Sequence, residues 1–311
     1  SEESEFSNIL TIRSFDEFDN DWDKLVEFLK SKGNPKWKIE NDLWLTPFIV
    51  KNLKMGNGDL SCLKDLVSVG GGLLIPYKGI NTQLESLDSL EYVGNDLVVD
   101  GSYHSDFKYL PKLKYVGGGL NLNHTSIESM DSLEYVGAEM DLEGTSIKTL
   151  GNLKSVGFST KQGSLWLKNT PIESLGALTE VNGTLNLEGT PIKSLGNLEY
   201  VGVDLQLNGT PIESLGNLES VGETYSDFRT GNLYLQNTPI KSLGNLEYVA
   251  NNLYLNNTPI ESLGNLKKVK GSLDLRGTEF SKMYSKDEIK KMVEVGRKVL
   301  FTRQDNMGGW V

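Results

Sequence analysis

Residues 253–266 read LYLNNTPIESLGNL, and the chain spells nearly the same words three more times upstream. The copies are LNLEGTPIKSLGNL (185–198), LQLNGTPIESLGNL (205–218) and LYLQNTPIKSLGNL (233–246). Aligned on the L-x-L triplet, first positions fall at Leu53, Leu73, Leu97, Leu120, Met140, Leu165, Leu185, Leu205, Leu233, Leu253 and Leu273. Six of the ten intervals are 20 residues, and the rest are longer by three to eight. Alternating leucines place both side chains on one face of a short strand. The Thr-Pro step turns the chain, because proline fixes φ and supplies no amide donor. Ile260, Leu263, Leu266 and Val269 then return inward, and glycine after the valine suits a bend.

One such unit cannot stand alone. Six buried aliphatics contribute about 10–15 kcal/mol of gross burial, whereas ordering 20 backbones costs about 20–30 kcal/mol. The units must stack, each covering its neighbours. Thr125, Thr145, Thr170, Thr190, Thr210, Thr238, Thr258 and Thr278 form a column expected to satisfy turn groups between rungs. The repeated words are therefore architecture, and function must sit in the positions that vary.

The pattern L-x-L-x-x-T-x-I, as at Leu253–Ile260, resembles the leucine-rich repeat core L-x-L-x-x-N-x-L, with threonine where that family usually has asparagine. The V-G-x-x-L-x-L run from Val201 to Leu207 is similar to repeats in receptor-L-type domains and in bacterial and tailed-phage proteins. The resemblance spans about residues 53–278 and implies a parallel-sheet solenoid that serves as a recognition surface. The expected fold is a β-rich (α/β-type) right-handed solenoid of about 11 short parallel strands.

Both ends read as caps on the array. Residues 1–52 form an N-terminal helical cap, with helical spacing at Trp22, Leu25, Val26, Phe28 and Leu29 and stop signals at Gly33 and Pro35. Trp37, Ile39, Leu43, Trp44 and Phe48 add apolar cover. The solenoid occupies 53–278. Residues 279–311 form a C-terminal helical cap and tail, in which Ser285 and Glu288 make a capping box before Ile289, Met292, Val293 and Val299. Trp310 lies in the tail.

Alternation exposes the residue between the two leucines: Asn121, Asp141, Trp166, Asn186, Gln206, Tyr234, Tyr254 and Asp274. Exposed Trp and Tyr on a stiff surface are typical anchors for protein recognition. The same residues also suit cross-strand packing with no ligand. Two insertions, FSTKQ (158–162) and ETYSDFRT (223–230), precede the strands of Trp166 and Tyr234. Loops on a rigid scaffold carry recognition, which makes Phe158, Lys161, Tyr225, Asp227, Phe228 and Arg229 contact candidates. A second candidate is an acidic patch of Asp96, Asp100, Glu139, Asp141 and Glu143, suited to a basic partner or to solvent. No dedicated calcium loop accompanies it, and no bound metal or cofactor is expected. The alternation Glu128, Lys148, Glu173, Lys193, Glu213, Lys241, Glu261 reads as register control between rungs.

The remaining features narrow the function. A net charge of −11 argues against a nucleic-acid partner and against a basic membrane anchor. A single cysteine, Cys62, forms no internal disulfide. No apolar run reaches membrane-spanning length, so the expected location is soluble and cytoplasmic, or secreted or surface-bound if a leader was removed. His104 and His124 are the only histidines, and no phosphate loop, Cys/His metal spacing or G-x-S-x-G occurs. The expected function is non-enzymatic recognition of one protein partner, such as the target of a phage or bacterial antagonist or adhesin, with no small-molecule substrate. The competing expectations are a structural spacer in a virion or surface assembly, and a carbohydrate-binding protein.

Overall fold

The computed structural model describes residues 8–45, 60–75, 84–102, 104–159, 163–223 and 230–301. Leu53, Lys161, Tyr225, Asp227, Phe228, Arg229 and Trp310 lie outside the described residues. The chain divides into two compact units, Ser1–Gly183 and Thr184–Val311. Each is a β-rich parallel solenoid in which every rung contributes one short strand to each of two ladders.

The first ladder is made by the L-x-L triplets. In Ser1–Gly183 it runs through Leu43–Trp44, Leu73–Ile75, Leu97–Val99, Leu120–Asn121, Met140–Asp141 and Leu165–Trp166. In Thr184–Val311 it runs through Leu185–Asn186, Leu205–Gln206, Leu233–Tyr234, Leu253–Tyr254, Leu273–Asp274 and Val299–Leu300. Register pairs like with like, Leu205 with Leu233 and Tyr234 with Tyr254. The partner of Leu73 is Leu43, so Leu43-Trp44-Leu45 is itself a triplet and not loose cover.

The second ladder is absent from the expected fold of a single sheet. Its strands are short steps ending in valine, most often Tyr-Val, that follow the last leucine of a rung. In Ser1–Gly183 they include Tyr92–Val93, Tyr115–Val116, Tyr135–Val136, Ser155–Val156 and Glu180–Val181. Leu66–Val69 also belongs to it, and Leu10–Ile12 and Trp37–Ile39 extend that ladder into the segment expected to be a helical cap. In Thr184–Val311 they are Tyr200–Val201, Ser220–Val221, Tyr248–Val249, Lys268–Val269 and Glu294–Val295. The valines from Val69 to Val269 point inward and are fully buried, whereas Val295 is half-buried. The residue before each valine is exposed or half-buried except Ser155, which is buried.

The core of each unit lies between the ladders. Leu205, Leu207, Ile212, Leu218 and Val221 of one rung are inaccessible, and the same positions of other rungs repeat this. The threonine column acts within its own rung rather than between rungs. Thr210 and Thr238 each donate Oγ1 to the carbonyl of the leucine three residues back, at 2.7 Å, and the other threonines do the same. The residue before each threonine is left-handed, with φ of 58–71° at His124, Gly144, Asn169, Gly189, Gly209, Asn237, Asn257 and Gly277. Only glycine, asparagine or histidine fills it, as local sterics require. The glycine after valine has a left-handed φ of 84° at Gly157 and Gly222 and lies in a bend at Gly94, Gly117 and Gly137, where it also serves close approach. An added Cβ there would sit 1.9–2.0 Å from the carbonyl oxygen of the preceding rung's glycine.

The helices at the two ends match the expected caps in part. Trp22–Ser31 is a helix whose N-cap, Asp21, accepts from the amides of Asp23 and Lys24. Phe280–Met283 and Lys286–Met292 are short helices, the second opened by the Ser285–Glu288 capping box. Hydrogen bonds from Ser285 hold the Glu288 carboxyl below its usual range. Val299, expected on that helix, instead pairs with Leu273 in the first ladder. Among the described residues no helix is long and apolar enough to cross a membrane.

Candidate functional site

The outward row of the first ladder was the expected recognition face, and in Thr184–Val311 its centre is a tyrosine pair. Tyr234 and Tyr254 occupy paired ladder positions, and their rings stack 4.9 Å apart and 7° from parallel. Register alone places them there, since in-register parallel strands bring equivalent side chains about 4.8 Å apart. The rings thereby cover one face of each other.

A ladder of amides fixes the pair. The Asp204 carboxylate accepts from the amides of Gly231 and Asn232 and from Asn232 Nδ2 at 2.7–3.1 Å. Asn232 Oδ1 accepts from the amide and side chain of Asn252, each at 3.2 Å. Asn252 then accepts from Ser272 N at 2.8 Å and donates Nδ2 to the Tyr254 hydroxyl at 3.2 Å. Burial, reinforced by Asp204 and Tyr254, pushes the Tyr234 phenol above its ordinary pKa. On the far side of Tyr254 the ladder places Asp274, whose buried carboxylate is held by Arg276 Nε and Nη2 at 2.9 and 2.6 Å.

In Ser1–Gly183 the same row reads Trp44, Leu74, Val98, Asn121, Asp141 and Trp166. Trp166 is half-buried beside Asp141. Trp44 is 45% exposed. It was hidden from sequence reading because its triplet was taken as cap, although LWL at 43–45 carries the motif.

The acidic residues do not all line one groove. Asp96, Glu139 and Asp141 line a shallow groove with Val98, Gly119 and Asn121, but Asp100 and Glu143 do not. Several carboxylates are already engaged: Asp96 with Gly119 N at 2.7 Å, Asp100 with Ser102 N at 2.9 Å, and Asp141 with Glu143 N and Asn123 Nδ2 at 3.0 Å. Among the described residues no group of three or more His, Cys, Asp or Glu is placed to hold a metal. His104 is buried, His124 sits in its left-handed turn, and the Cys62 carbonyl accepts from Trp37 Nε1 at 2.9 Å.

Phe158 does not flank Trp166 as a clamp. It folds back over the second ladder, with its ring 5.8 Å from Tyr115 and 6.0 Å from Tyr135. Ser159 pins the turn through its amide, 2.9 Å from the Gly137 carbonyl oxygen. Tyr92 stacks on Tyr115 at 5.1 Å and 3°, and Lys154 Nζ lies 5.4 Å from the Tyr135 ring. Tyr92, Tyr135 and Phe158 are 43%, 37% and 41% exposed. Sequence reading missed this second aromatic surface, and the available signal was the recurring E-Y-V or K-Y-V before glycine at 91–94, 114–117 and 134–137.

The register-control reading of the charges has direct counterparts in Lys193–Glu213 at 3.7 Å and Lys241–Glu261 at 3.4 Å. Both pairs are exposed, so each contributes about 0.2–1 kcal/mol. Compared with known families and with curated proteins, the chain matches no family model and no curated protein.

Proposed function

We propose that the chain is a non-enzymatic recognition module of leucine-rich-repeat type that holds a protein partner against the outward L-x-L row. Its anchors are Tyr234 and Tyr254 in Thr184–Val311 and Trp166 in Ser1–Gly183.

One observation carries the reading. Where the rungs agree on an exposed residue, the structure supplies a reason: Ser194, Ser214, Ser242 and Ser262 each accept from the amide of the glycine two residues on. The left-handed turn residues have their own steric reason. The outward residue of L-x-L changes from rung to rung: Asn121, Asp141, Asn186 and Asp274 likewise accept from the amide two residues on, a bond that the rings of Trp166, Tyr234 and Tyr254 cannot make. Variation at this position on a rigid surface, with aromatic residues at four rungs (Trp44, Trp166, Tyr234 and Tyr254) that no turn bond explains, supports reading it as a recognition face. The turn-bound histidine and the engaged carboxylates offer little for acid/base chemistry.

The test is capture of a protein from source-cell lysate by wild type and by the triple variant Trp166→Ala/Tyr234→Ala/Tyr254→Ala, with the fold checked by circular dichroism. A protein captured by wild type and lost in the folded variant supports the reading. Equal capture by both removes this face from the reading.

A further inference from the structure

Away from the L-x-L row, the outward surface of the second ladder in Ser1–Gly183 carries charges in a fixed order. The residue before each tyrosine position runs Glu91, Lys114, Glu134, Lys154 on four successive rungs. Lys114 pairs with Glu91 at 3.1 Å and Lys154 pairs with Glu134, so the row is neutral as a whole. Beside it lie the exposed aromatics Tyr92, Tyr135 and Phe158 and the half-buried Tyr115.

We propose that this surface docks a second copy of the chain about a two-fold axis parallel to the strands, passing between the rungs of Tyr115 and Tyr135. The order of charges supplies the argument. Read backwards, Glu-Lys-Glu-Lys becomes Lys-Glu-Lys-Glu, so such an axis sets Glu91 against Lys154 of the second copy and Lys114 against its Glu134. It also sets Tyr115 against Tyr135 and Tyr92 against the rung of Phe158. The flanking rungs, Val67–Ser68 and Thr179–Glu180, meet each other with no contact between like charges.

A two-fold axis along the ladder would instead oppose Glu91 to Glu91 and Lys114 to Lys114, which like-charge repulsion disfavours. Self-complementarity under one rotation is what an isologous interface requires. The corresponding row of Thr184–Val311 lacks it, because Glu199, Glu219, Glu247 and Lys267 do not reverse into their complement. Its tyrosines are also separated, with Ser220 between Tyr200 and Tyr248. Four rungs span about 14 Å along the ladder. A patch of that extent lies at the small end of specific interfaces, so a dissociation constant on the order of 10–100 µM is expected.

Sedimentation velocity of the full chain from about 10 µM to 1 mM tests this. The expected wild-type result is a sedimentation coefficient that rises with concentration. Lys114→Glu/Lys154→Glu makes the row wholly acidic and Glu91→Lys/Glu134→Lys makes it wholly basic. Each variant alone, with its fold verified by circular dichroism, is expected to associate at least about tenfold more weakly. An equimolar mixture of the two is expected to recover a dimer at least as tight as wild type. A wild type that stays monomeric throughout overturns the proposal. So does self-association unchanged in either variant, or a mixture that fails to recover it.

Discussion

Tyr234 on Tyr254 and Tyr92 on Tyr115 are the same contact made twice. The rings lie 4.9 and 5.1 Å apart and within 7° and 3° of parallel. Their surroundings differ. The first pair is half-buried beside the Asp204–Asn232–Asn252 ladder, which ends on the Tyr254 hydroxyl. The second pair rests on stacking and on Phe158, and Tyr92 is 43% exposed. Parallel register thus brings tyrosines of successive rungs together, as stacks at Tyr234–Tyr254 and Tyr92–Tyr115, while at Tyr115 and Tyr135 the Phe158 ring packs against both. The neighbouring groups decide whether a pair is a held platform or an open surface.

The contrast can be broken first through the backbone that sets the rung spacing. Gly117→Ala would place a Cβ 2.0 Å from the Gly94 carbonyl oxygen and push the Tyr115 rung from the Tyr92 rung. A loss of about 3 kcal/mol is expected in urea denaturation. Gly196→Ala is the control, because its Cβ meets nothing and only the left-handed φ of +56° is strained, at about 1 kcal/mol. Equal losses would show that close approach does not set the rung spacing.

The amide ladder comes next. Asn232→Ala strands the Asn252 side chain and removes from half-buried Asp204 the donor of a buried asparagine, with an expected loss of about 2 kcal/mol. A loss within about 0.5 kcal/mol, the range of ordinary surface substitutions, would mean the Tyr234–Tyr254 platform does not depend on it.

Smaller still is the difference between the stacks themselves. Tyr254→Ala removes a ring and a hydrogen-bond acceptor, for about 1.5 kcal/mol, whereas Tyr92→Ala removes a more exposed ring, for about 0.5 kcal/mol. Reversal of that order in matched denaturation curves would undo the comparison.

The last effect is on pH. Burial raises the Tyr234 phenol above its ordinary pKa, so the unfolded chain releases this proton first. The contribution to stability is full below about pH 10, and it is lost as pH rises through the folded value. Absorbance titration near 295 nm, wild type minus Tyr234→Phe, is expected to show one tyrosine ionising late. A difference curve centred at or below the ordinary tyrosine range would contradict it.

Much of the rung was legible before any coordinates. L-x-L alternation places two inward leucines on one strand, and ten of the eleven expected triplets lie in the first ladder. The second ladder was not legible, because a two-residue Tyr-Val strand has one inward residue and no alternation to detect. The close approach at Gly117 was not legible for a related reason. A glycine at a left-handed bend and a glycine under a neighbouring carbonyl look alike in one dimension. Of the candidate site, Tyr234, Tyr254 and Trp166 were placed correctly on the outward row. Phe158 was assigned to the wrong ladder, because a loop's direction depends on where Ser159 finds an acceptor, and that acceptor is Gly137 on another rung.

The sequence by itself determined the 20-residue rung, its inward aliphatics and its left-handed turn positions, because burial periodicity and backbone sterics act within a few residues. Only the tertiary structure decided which outward side chains meet. That Tyr92 stacks on Tyr115, that Phe158 lies over both Tyr115 and Tyr135, and that Asn252 reaches Asn232 all depend on register between strands a rung or more apart. Such register is set by the packing of whole rungs against each other, a cooperative outcome that no single stretch of residues encodes.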